Sequence, residues 1–395
     1  MIEKQKRRQK RQSCVSVIAA GMVFLSLAGC GRNAQKYETV SREETVVTEA
    51  ESRPETETED NVLRIETEAK AAGTDGRTGN SVSLLFAGDI YLSDHVRNAY
   101  AKAGGIAGVL DEGLRTEITA ADLFVANEEF PFSDRGTPAA DKQFTFRLPA
   151  EQVHLMQEIG TDLVTLANNH TLDYGTDALL DTCQVLDEEG ILHVGAGENL
   201  EEASRLEIVE IDGMRFGFLG ASRVFPAAGW AAGANHPGML SAYDGEALCK
   251  VIRETKTQCD YLTVYVHWGI ERNTMPEIYQ RNQGRQYIDA GADLVVGSHP
   301  HVLQGIEYYQ GKPILYSLGN FIFGSSIPET MLVKAEVRTD GSTVLSLVPA
   351  TSAGGFTREL DPEKRNAFYR NIESLSEGIC IDEAGTVTPA ENHSP

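Results

Sequence analysis

The chain has 395 residues, enough for one large or two medium-sized domains, and a formal net charge of −23 at pH 7. A protein this acidic is not expected to bind nucleic acid or anionic lipid through its overall electrostatic field. Six cysteines in this length exclude a disulfide scaffold, although one bridge stays open in an exported protein among Cys183, Cys249, Cys259 and Cys380.

Residues 1–29 have the features of a bacterial export signal. A basic block precedes an apolar run over residues 15–27, which is shorter than the about 20 residues that a membrane span needs. The tetrapeptide Leu27-Ala28-Gly29-Cys30 closes this run and resembles the lipobox of bacterial lipoproteins. The resemblance implies cleavage before Cys30, a diacylglyceryl group on its thiol, and an extracytoplasmic protein anchored to the cell membrane. An uncleaved N-terminal anchor is the alternative.

Residues 30–80 are rich in Glu, Thr, Ser and Ala, with few aromatic residues and no apolar periodicity. Such a segment cannot bury enough apolar surface to offset the conformational entropy lost on folding. It is predicted to be a disordered acidic tether that holds the following domain away from the bilayer.

Regular structure is predicted to begin at Ser81, after which strands and helices alternate. This alternation favours an α/β architecture with much parallel sheet. The predicted elements are strands at 81–87, 123–126, 163–166, 191–194, 261–266 and 292–296, a hairpin of 206–211 with 215–219, and helices at 105–118, 150–159, 177–189, 244–254 and 281–289. Asp212-Gly213 is typical of a primed turn within that hairpin.

Residues 81–350 are predicted to form the main domain, with further hairpins at 306–316 and at 332–338 with 344–349. Residues 351–395 are predicted to complete it with a helix over residues 362–375, a short hairpin and a disordered end.

Polar side chains follow five of the predicted buried strands directly. They are Asp89, then Asn127-Glu128-Glu129, then Asn168-Asn169-His170, then His267 with Glu271, and finally His299 and His301. Open α/β sheets place their ligands at the carboxyl ends of strands. Carboxylates and neutral imidazoles together suit borderline divalent metals, whereas calcium and magnesium favour oxygen ligands alone. The pattern therefore predicts metal-assisted hydrolysis at one sheet edge.

Six motifs together resemble the CapA family of poly-γ-glutamate capsule biosynthesis proteins, which is similar in turn to the calcineurin-like metallophosphoesterases. They are Gly88-Asp89, Ala126-Asn127-Glu128-Glu129, residues 166–175, His267-Trp268-Gly269-Ile270-Glu271, Gly297-Ser298-His299-Pro300-His301-Val302 and Ser317-Leu318-Gly319-Asn320-Phe321. The resemblance covers roughly residues 81–323. It implies a four-layer αββα sandwich of two facing β-sheets flanked by helices, with a metal site along one edge.

The resemblance also implies one or two divalent ions, such as Mn, Zn or Fe. Its metal ligands would be Asn169, His267 and His299 on one ion, Asp89 and His301 on the other, and Glu129 as the bridging carboxylate. One position departs from the superfamily, because Tyr91 stands where the Asp-x-His block has its imidazole. The ion held by Asp89 and His301 has therefore lost a ligand.

Further roles are implied around the ions. His170 would protonate the leaving group or orient the phosphoryl oxygen, and Asp173 would fix its tautomer. Glu271 and Arg223 are candidate substrate contacts, with a salt bridge and an ordinary surface arginine as the alternatives.

Several candidate ligands also have structural alternatives. Asp89 could cap a helix, Asn169 could satisfy turn backbone, and Glu128 offers the same carboxyl group as Glu129.

Two functions remain open at this point. One is an exported, lipid-anchored hydrolase or transferase that acts on a phosphoester or a γ-glutamyl bond with the help of metal. The other is a non-catalytic binding or assembly factor for an anionic cell-surface polymer, with a vestigial metal site and partners in a capsule synthesis membrane complex.

Overall fold

The computed structural model describes residues 63–65 and 81–390. The predicted signal peptide, the lipid site Cys30 and the predicted disordered end after residue 390 lie outside the described residues, as does most of the predicted tether. In the part of the chain that is described, no helix combines the length and apolar character that crossing a bilayer requires.

The described residues contain nineteen strands and eight α-helices. The first strands are β1 (Leu63–Ile65), β2 (Ser81–Ile90), β3 (Leu123–Glu128), β4 (Leu163–Thr165), β5 (Leu192–Val194), β6 (Ala196–Gly197), β7 (Glu207–Ile211), β8 (Met214–Ser222), β9 (Gly238–Met239) and β10 (Tyr261–His267). The others are β11 (Leu294–Ser298), β12 (Ile306–Tyr309), β13 (Lys312–Leu315), β14 (Asn320–Ile322), β15 (Ser326–Arg338), β16 (Thr343–Ala353), β17 (Phe356–Glu359), β18 (Ile379–Ile381) and β19 (Thr386–Pro389). The helices are α1 (Asp94–Ala103), α2 (Glu112–Ala120), α3 (His154–Ile159), α4 (Thr176–Glu188), α5 (Leu200–Ala203), α6 (Gly245–Lys256), α7 (Ile278–Ala290) and α8 (Pro362–Leu375).

Two large sheets organise the fold. The first has ten strands in the order β18-β19-β16-β15-β2-β3-β4-β5, with β14 paired to β2 and β17 to β16. The second has seven strands in the order β1-β7-β8-β10-β11-β13-β12. Strands β2 to β5 run parallel in the first sheet, and β8, β10, β11 and β13 run parallel in the second. The carboxyl ends of each parallel set therefore lie at one edge of its sheet.

Three apolar clusters separate four layers. One lies between the first sheet and helices α1 to α4, and includes Phe124 and Leu179. A second joins the two sheets, with Phe86 from one and Val296 from the other. A third lies between the second sheet and helices α6 and α7, with Leu248 and Tyr287 among its members. The αββα sandwich that the resemblance implied is confirmed.

Local signals account for most of the element bounds. The helix predicted at 362–375 is α8, and Asp212 and Gly213 take φ values of 51° and 80°, as a primed hairpin turn requires. The helix predicted over residues 105–118 is confirmed only from Glu112 onward, and its predicted start is wrong. Gly104 ends α1 in a left-handed conformation with φ 73°, and Asp111 caps a separate helix α2 by accepting a hydrogen bond from the backbone N–H of Leu114.

A second correction concerns the predicted tether. Leu63–Ile65 pairs in parallel with β7 as strand β1, so disorder is wrong for these three residues. An edge strand offers unpaired backbone groups to any short extended segment, whatever its composition. The four cysteines after residue 30 are unpaired in the structure, which contains no bridge among them.

Candidate metal centre

The candidate site lies where the two parallel sets of strands end. Asp89 of β2 is in register with Asn127 of β3, and His267 of β10 is in register with Ser298 of β11. Main-chain packing here is close: a Cβ atom at Gly297 would lie 2.1 Å from the carbonyl oxygen of Tyr316. Only glycine therefore fits at the point where the chain turns from β11 into the site.

Two histidines in this turn have backbone conformations that are uncommon for residues with a side chain. His299 has φ 99° and His301 has φ 57°. Conformations of this kind cost about 1–3 kcal/mol each and persist where the surrounding structure enforces them, which is typical of functional sites. The two imidazole rings lie close together, with their centroids 5.9 Å apart.

All six predicted metal ligands converge around Glu129. Potential ligand atoms of Glu129, His299 and His301 lie within 4.8 Å of one another. The Nε2 atom of His267 is 3.7 Å from Oε1 of Glu129 and 2.7 Å from Oδ1 of Asn169. Asp89 joins from the other side, with Oδ2 lying 3.4 Å from Nδ1 of His301. Loops that are distant in sequence thus form one cluster.

Several polar atoms of this cluster are buried without a hydrogen-bond partner among the described residues. They are Oδ2 of Asp89, both carboxylate oxygens of Glu129 and Nδ1 of His299. Buried acceptors are normally satisfied, because leaving one unpaired costs about 1–3 kcal/mol. Carboxylate oxygens and imidazole nitrogens are also the donor set of Mn, Zn and Fe sites. The residues present therefore fit a divalent cation.

The electrostatics of the cluster indicate the same need for a cation. Burial and the neighbouring Asp89 raise the pKa of Glu129 well above its usual value. Burial and His301 lower the pKa of His299 to about 3, so its imidazole is neutral. Burial opposes protonation of His301, but the carboxylates of Glu129 and Asp89 outweigh it and raise the pKa of His301 to about 10. In the ion-free cluster, His301 thus carries the compensating positive charge.

His170 and Asp173 form a second unit beside the cluster. Nδ1 of His170 lies 2.7 Å from Oδ2 of Asp173, which also accepts a hydrogen bond from the backbone N–H of Phe146 at 2.6 Å. The Phe146 ring stacks on the His170 imidazole with centroids 4.0 Å apart. Burial lowers the pKa of His170. The Asp173 carboxylate and the Phe146 ring together fix the orientation of the imidazole.

Lys142 is a residue of this site that sequence reasoning missed. Its Nζ atom donates to the Asn169 carbonyl and to Oδ1 of Asp173, and it lies 3.0 Å from Nδ1 of His170. The ammonium also sits over the Trp230 ring, 5.2 Å from its centroid. Lys142 lies in a long polar loop with no motif around it, so nothing in the sequence distinguishes it from a surface lysine.

We expect Lys142→Gln to lower kcat about 10- to 100-fold in a hydrolytic assay and to leave metal content unchanged, because Lys142 positions other residues and is not a ligand. The exposed Lys250→Gln on α6 is the matched control and should behave as the wild type. Unaltered turnover in Lys142→Gln would show that its contacts have no role in positioning.

The two candidate substrate contacts lie at the periphery. The Arg223 guanidinium stacks over Tyr279 and Tyr243, 4.2 and 5.0 Å from their ring centroids, and it donates to the Tyr243 carbonyl at 3.0 Å. Glu271 is exposed, but its charge still raises the pKa of Glu129. Neither side chain is part of the convergent cluster, so their substrate role stays a prediction.

The neighbouring carboxyls Glu128 and Glu129 point in opposite directions. Alternation along β3 places Glu128 on the same face as Ala126, which belongs to the cluster beneath the helices. Both carboxylate oxygens of Glu128 lack a hydrogen-bond partner among the described residues. Burial raises the pKa of Glu128 well above its usual value. Glu128 is therefore a buried structural carboxyl, and Glu129 alone faces the site.

Glu128→Leu is expected to stabilise the protein by about 1–3 kcal/mol at pH 8, by removing an unsatisfied buried group. The gain should shrink at pH 5. The pKa of Glu128 is higher in the folded protein than in the unfolded chain. The free energy of unfolding therefore falls as the pH rises above the pKa of the unfolded chain, and leucine removes that loss. Urea unfolding at both pH values checks this, and an equal gain at both would contradict the role of ionisation.

Two facing sheets between helix layers, with carboxylate, amide and imidazole groups converging at one edge, define a four-layer α/β protein with a candidate metal centre. The chain belongs to the family described as bacterial capsule synthesis protein PGA_cap, whose model matches residues 83–325.

Three relatives are similar to this chain. The capsule biosynthesis protein CapA of Bacillus anthracis is 31% identical over 310 residues, covering 75% of this chain and 74% of its own. The PGA biosynthesis protein CapA of Bacillus subtilis (strain 168) is 33% identical over 320 residues, which cover 79% of this chain and 83% of the relative. A probable polyglutamine synthesis accessory protein of Mycobacterium tuberculosis is 31% identical over 215 residues, which cover 52% of this chain and 57% of the relative. Among solved structures, the 5'-nucleotidase of Candida albicans SC5314 is similar at a TM-score of 0.37, with 13% identity over 68% of this chain and 51% of that one.

Proposed function

We propose that this protein is an exported, lipid-anchored hydrolase or transferase that acts with a divalent metal ion on a phosphoester or a γ-glutamyl bond in capsule synthesis. The observation that supports the metal most directly is the set of buried, unpartnered acceptors on Asp89, Glu129 and His299. The capsule role rests on family membership and on the relatives named for capsule and PGA biosynthesis.

The residues that would hold the metal are Asp89, Glu129, Asn169, His267, His299 and His301. An ion bound there would polarise the phosphoryl or carbonyl oxygen of the scissile bond. Glu129 is the central ligand of this proposal, because it is fully buried and lies within 4.0 Å of both His267 and His301.

His170 is the proposed acid. Asp173 accepts the Nδ1 proton of the imidazole, so Nε2 is the atom that exchanges a proton with the substrate. Water forms the new bond to phosphorus or to the carbonyl carbon, and Nε2 of the neutral imidazole takes the proton that the water loses. The bond to the leaving oxygen or nitrogen breaks, and that atom takes the proton from Nε2, so His170 ends the cycle in its starting state.

The proposed partners are an anionic polymer and a membrane-bound synthesis complex. A poly-γ-glutamate chain is anionic, and Lys142 and Arg223 supply positive charge at the site of an otherwise acidic protein. Lipid on Cys30 would hold the protein at the outer face of the cell membrane, beside a membrane-bound capsule synthesis complex. No nucleic acid is expected as a partner.

The test is metal analysis and a hydrolytic assay of the purified protein on bis-(p-nitrophenyl) phosphate and on a γ-glutamyl anilide, with and without Mn²⁺. We expect bound metal and metal-dependent release of product from one of the two substrates. Activity that survives complete removal of metal would contradict the proposal.

The second candidate function is a non-catalytic binding or assembly factor for an anionic polymer, and Tyr91 in the place of a ligand favours it. It predicts less than one metal ion per chain. It also predicts that His299→Ala and His170→Ala leave polymer formation in cells unchanged, whereas the hydrolase requires both residues.

A further inference from the structure

Arg223 is held in a fixed position beside the metal centre without being part of it. Its backbone N–H donates to the carbonyl oxygen of His267, a proposed ligand, at 2.8 Å. Its guanidinium lies over two aromatic rings, with Cζ 4.2 Å from the centroid of Tyr279 and 5.0 Å from that of Tyr243. Tyr279 is fixed in turn, because its hydroxyl accepts a hydrogen bond from the backbone N–H of Gly269 at 2.8 Å. We call Arg223, Tyr243 and Tyr279 the arginine clamp.

The positive charge of the arginine clamp is not neutralised. Arg281 and Arg285 also lie over tyrosine rings, but each of them has a glutamate partner. Nη1 of Arg281 lies 3.2 Å from Oε1 of Glu377, and Nε of Arg285 lies 2.7 Å from Oε1 of Glu307. Arg223 forms no ion pair with any residue that the structure describes, although the chain has a net charge of −23. Its charge is therefore available to an anion that comes from outside.

The hydrogen-bond donors of Arg223 indicate which anion fits. Nη1 donates to the Tyr243 carbonyl at 3.0 Å, whereas Nε and Nη2 have no hydrogen-bond partner among the described residues. These two nitrogens form an edge of the guanidinium that can bind a carboxylate through two parallel hydrogen bonds. The clamp carries one positive charge, which matches a carboxylate, whereas a phosphate monoester carries about 1.5 to 2 negative charges. A carboxylate is therefore the ligand that the clamp fits best.

We infer that Arg223 binds a substrate carboxylate that takes no part in the reaction, an inference that rests on the proposed function. The reacting bond would lie at the ion and His170, and Arg223 lies outside that cluster, so the group it binds is separate from the reacting atoms. A γ-glutamyl chain carries such a group, because each of its residues keeps a free α-carboxylate. A simple phosphodiester has no second anionic group. Arg223 is thus a specificity-determining residue that favours a γ-glutamyl chain, and the two tyrosines position it.

The test is a binding measurement that does not depend on turnover. Isothermal titration calorimetry of the full chain with Mn²⁺ compares tri-γ-glutamate with the same peptide after amidation of its α-carboxylates. The free peptide should bind at least about 10-fold more tightly. Equal affinities, or no binding of either peptide, would overturn the inference, and Mn²⁺-dependent hydrolysis of bis-(p-nitrophenyl) phosphate by the same preparation would then leave the proposed function intact. A preference for the free peptide in a protein without bound metal or turnover would overturn the proposed function instead.

Variants of the clamp assign the preference to Arg223. Arg223→Gln should lower the affinity for the free peptide to that for the amidated one, and a wild-type Mn²⁺ content would show that the variant is folded. Arg223→Lys keeps the charge but not the planar edge, so it should retain only part of the preference. Arg281→Gln is the matched control, because Arg281 also lies over a tyrosine but is paired with Glu377, and it should keep the full preference. A full preference in Arg223→Gln would overturn the inference.

Discussion

Glu129→Gln should abolish stable metal binding and lower metal-dependent hydrolysis by at least about 10²-fold. Glu129 is fully buried and lies between His267 and His301, and neither of its oxygens has another hydrogen-bond partner among the described residues. An amide of the same shape cannot carry the negative charge that Glu129 would offer to an ion beside both histidines, and it supplies a weaker ligand. Elemental analysis and the phosphodiester assay measure the two effects.

The adjacent residue provides the matched control. Glu128→Gln makes the same chemical change one position away, but the side chain lies on the opposite face of β3, beneath the helices. It should keep both metal content and turnover. Equal losses in Glu128→Gln and Glu129→Gln would mean that the damage comes from the fold of β3, and retention of the ion in Glu129→Gln would remove Glu129 from the ligand set.

The convergence of the predicted ligands could be inferred from sequence because it follows from parallel strands. Asp89, Asn169, His267 and His301 each follow an apolar run, and parallel strands carry their carboxyl ends to one edge. The choice of Glu129 over Glu128 came from the family motif, and strand alternation now supplies its physical reason.

Side chains recruited by irregular loops could not be inferred in the same way. Lys142 and Phe146 reach His170 from the loop after β3, where neither a strand nor a helix period limits their direction. Tyr91 was identified as a missing ligand, but its stacking on Phe146 depends on that same loop. The pairing of β1 with β7 could not be predicted from the sequence either. Pairing at a sheet edge uses backbone groups, which are common to every sequence.

His170→Gln should lower kcat by about 10²- to 10⁴-fold while metal content stays at the wild-type level. The proposed acid works through Nε2, and its other nitrogen is held by Asp173 at 2.7 Å beneath the Phe146 ring. Glutamine fills a similar volume and can still bond to Asp173, but it cannot deliver a proton to the leaving group. Steady-state kinetics and elemental analysis on the same preparation separate a loss of turnover from a loss of metal.

His154→Gln on the exposed start of α3 is the control for a histidine change outside the site. If metal and activity fell together in His170→Gln, the residue would act as a ligand or support the cluster, and the proton-transfer role would have to pass to another group.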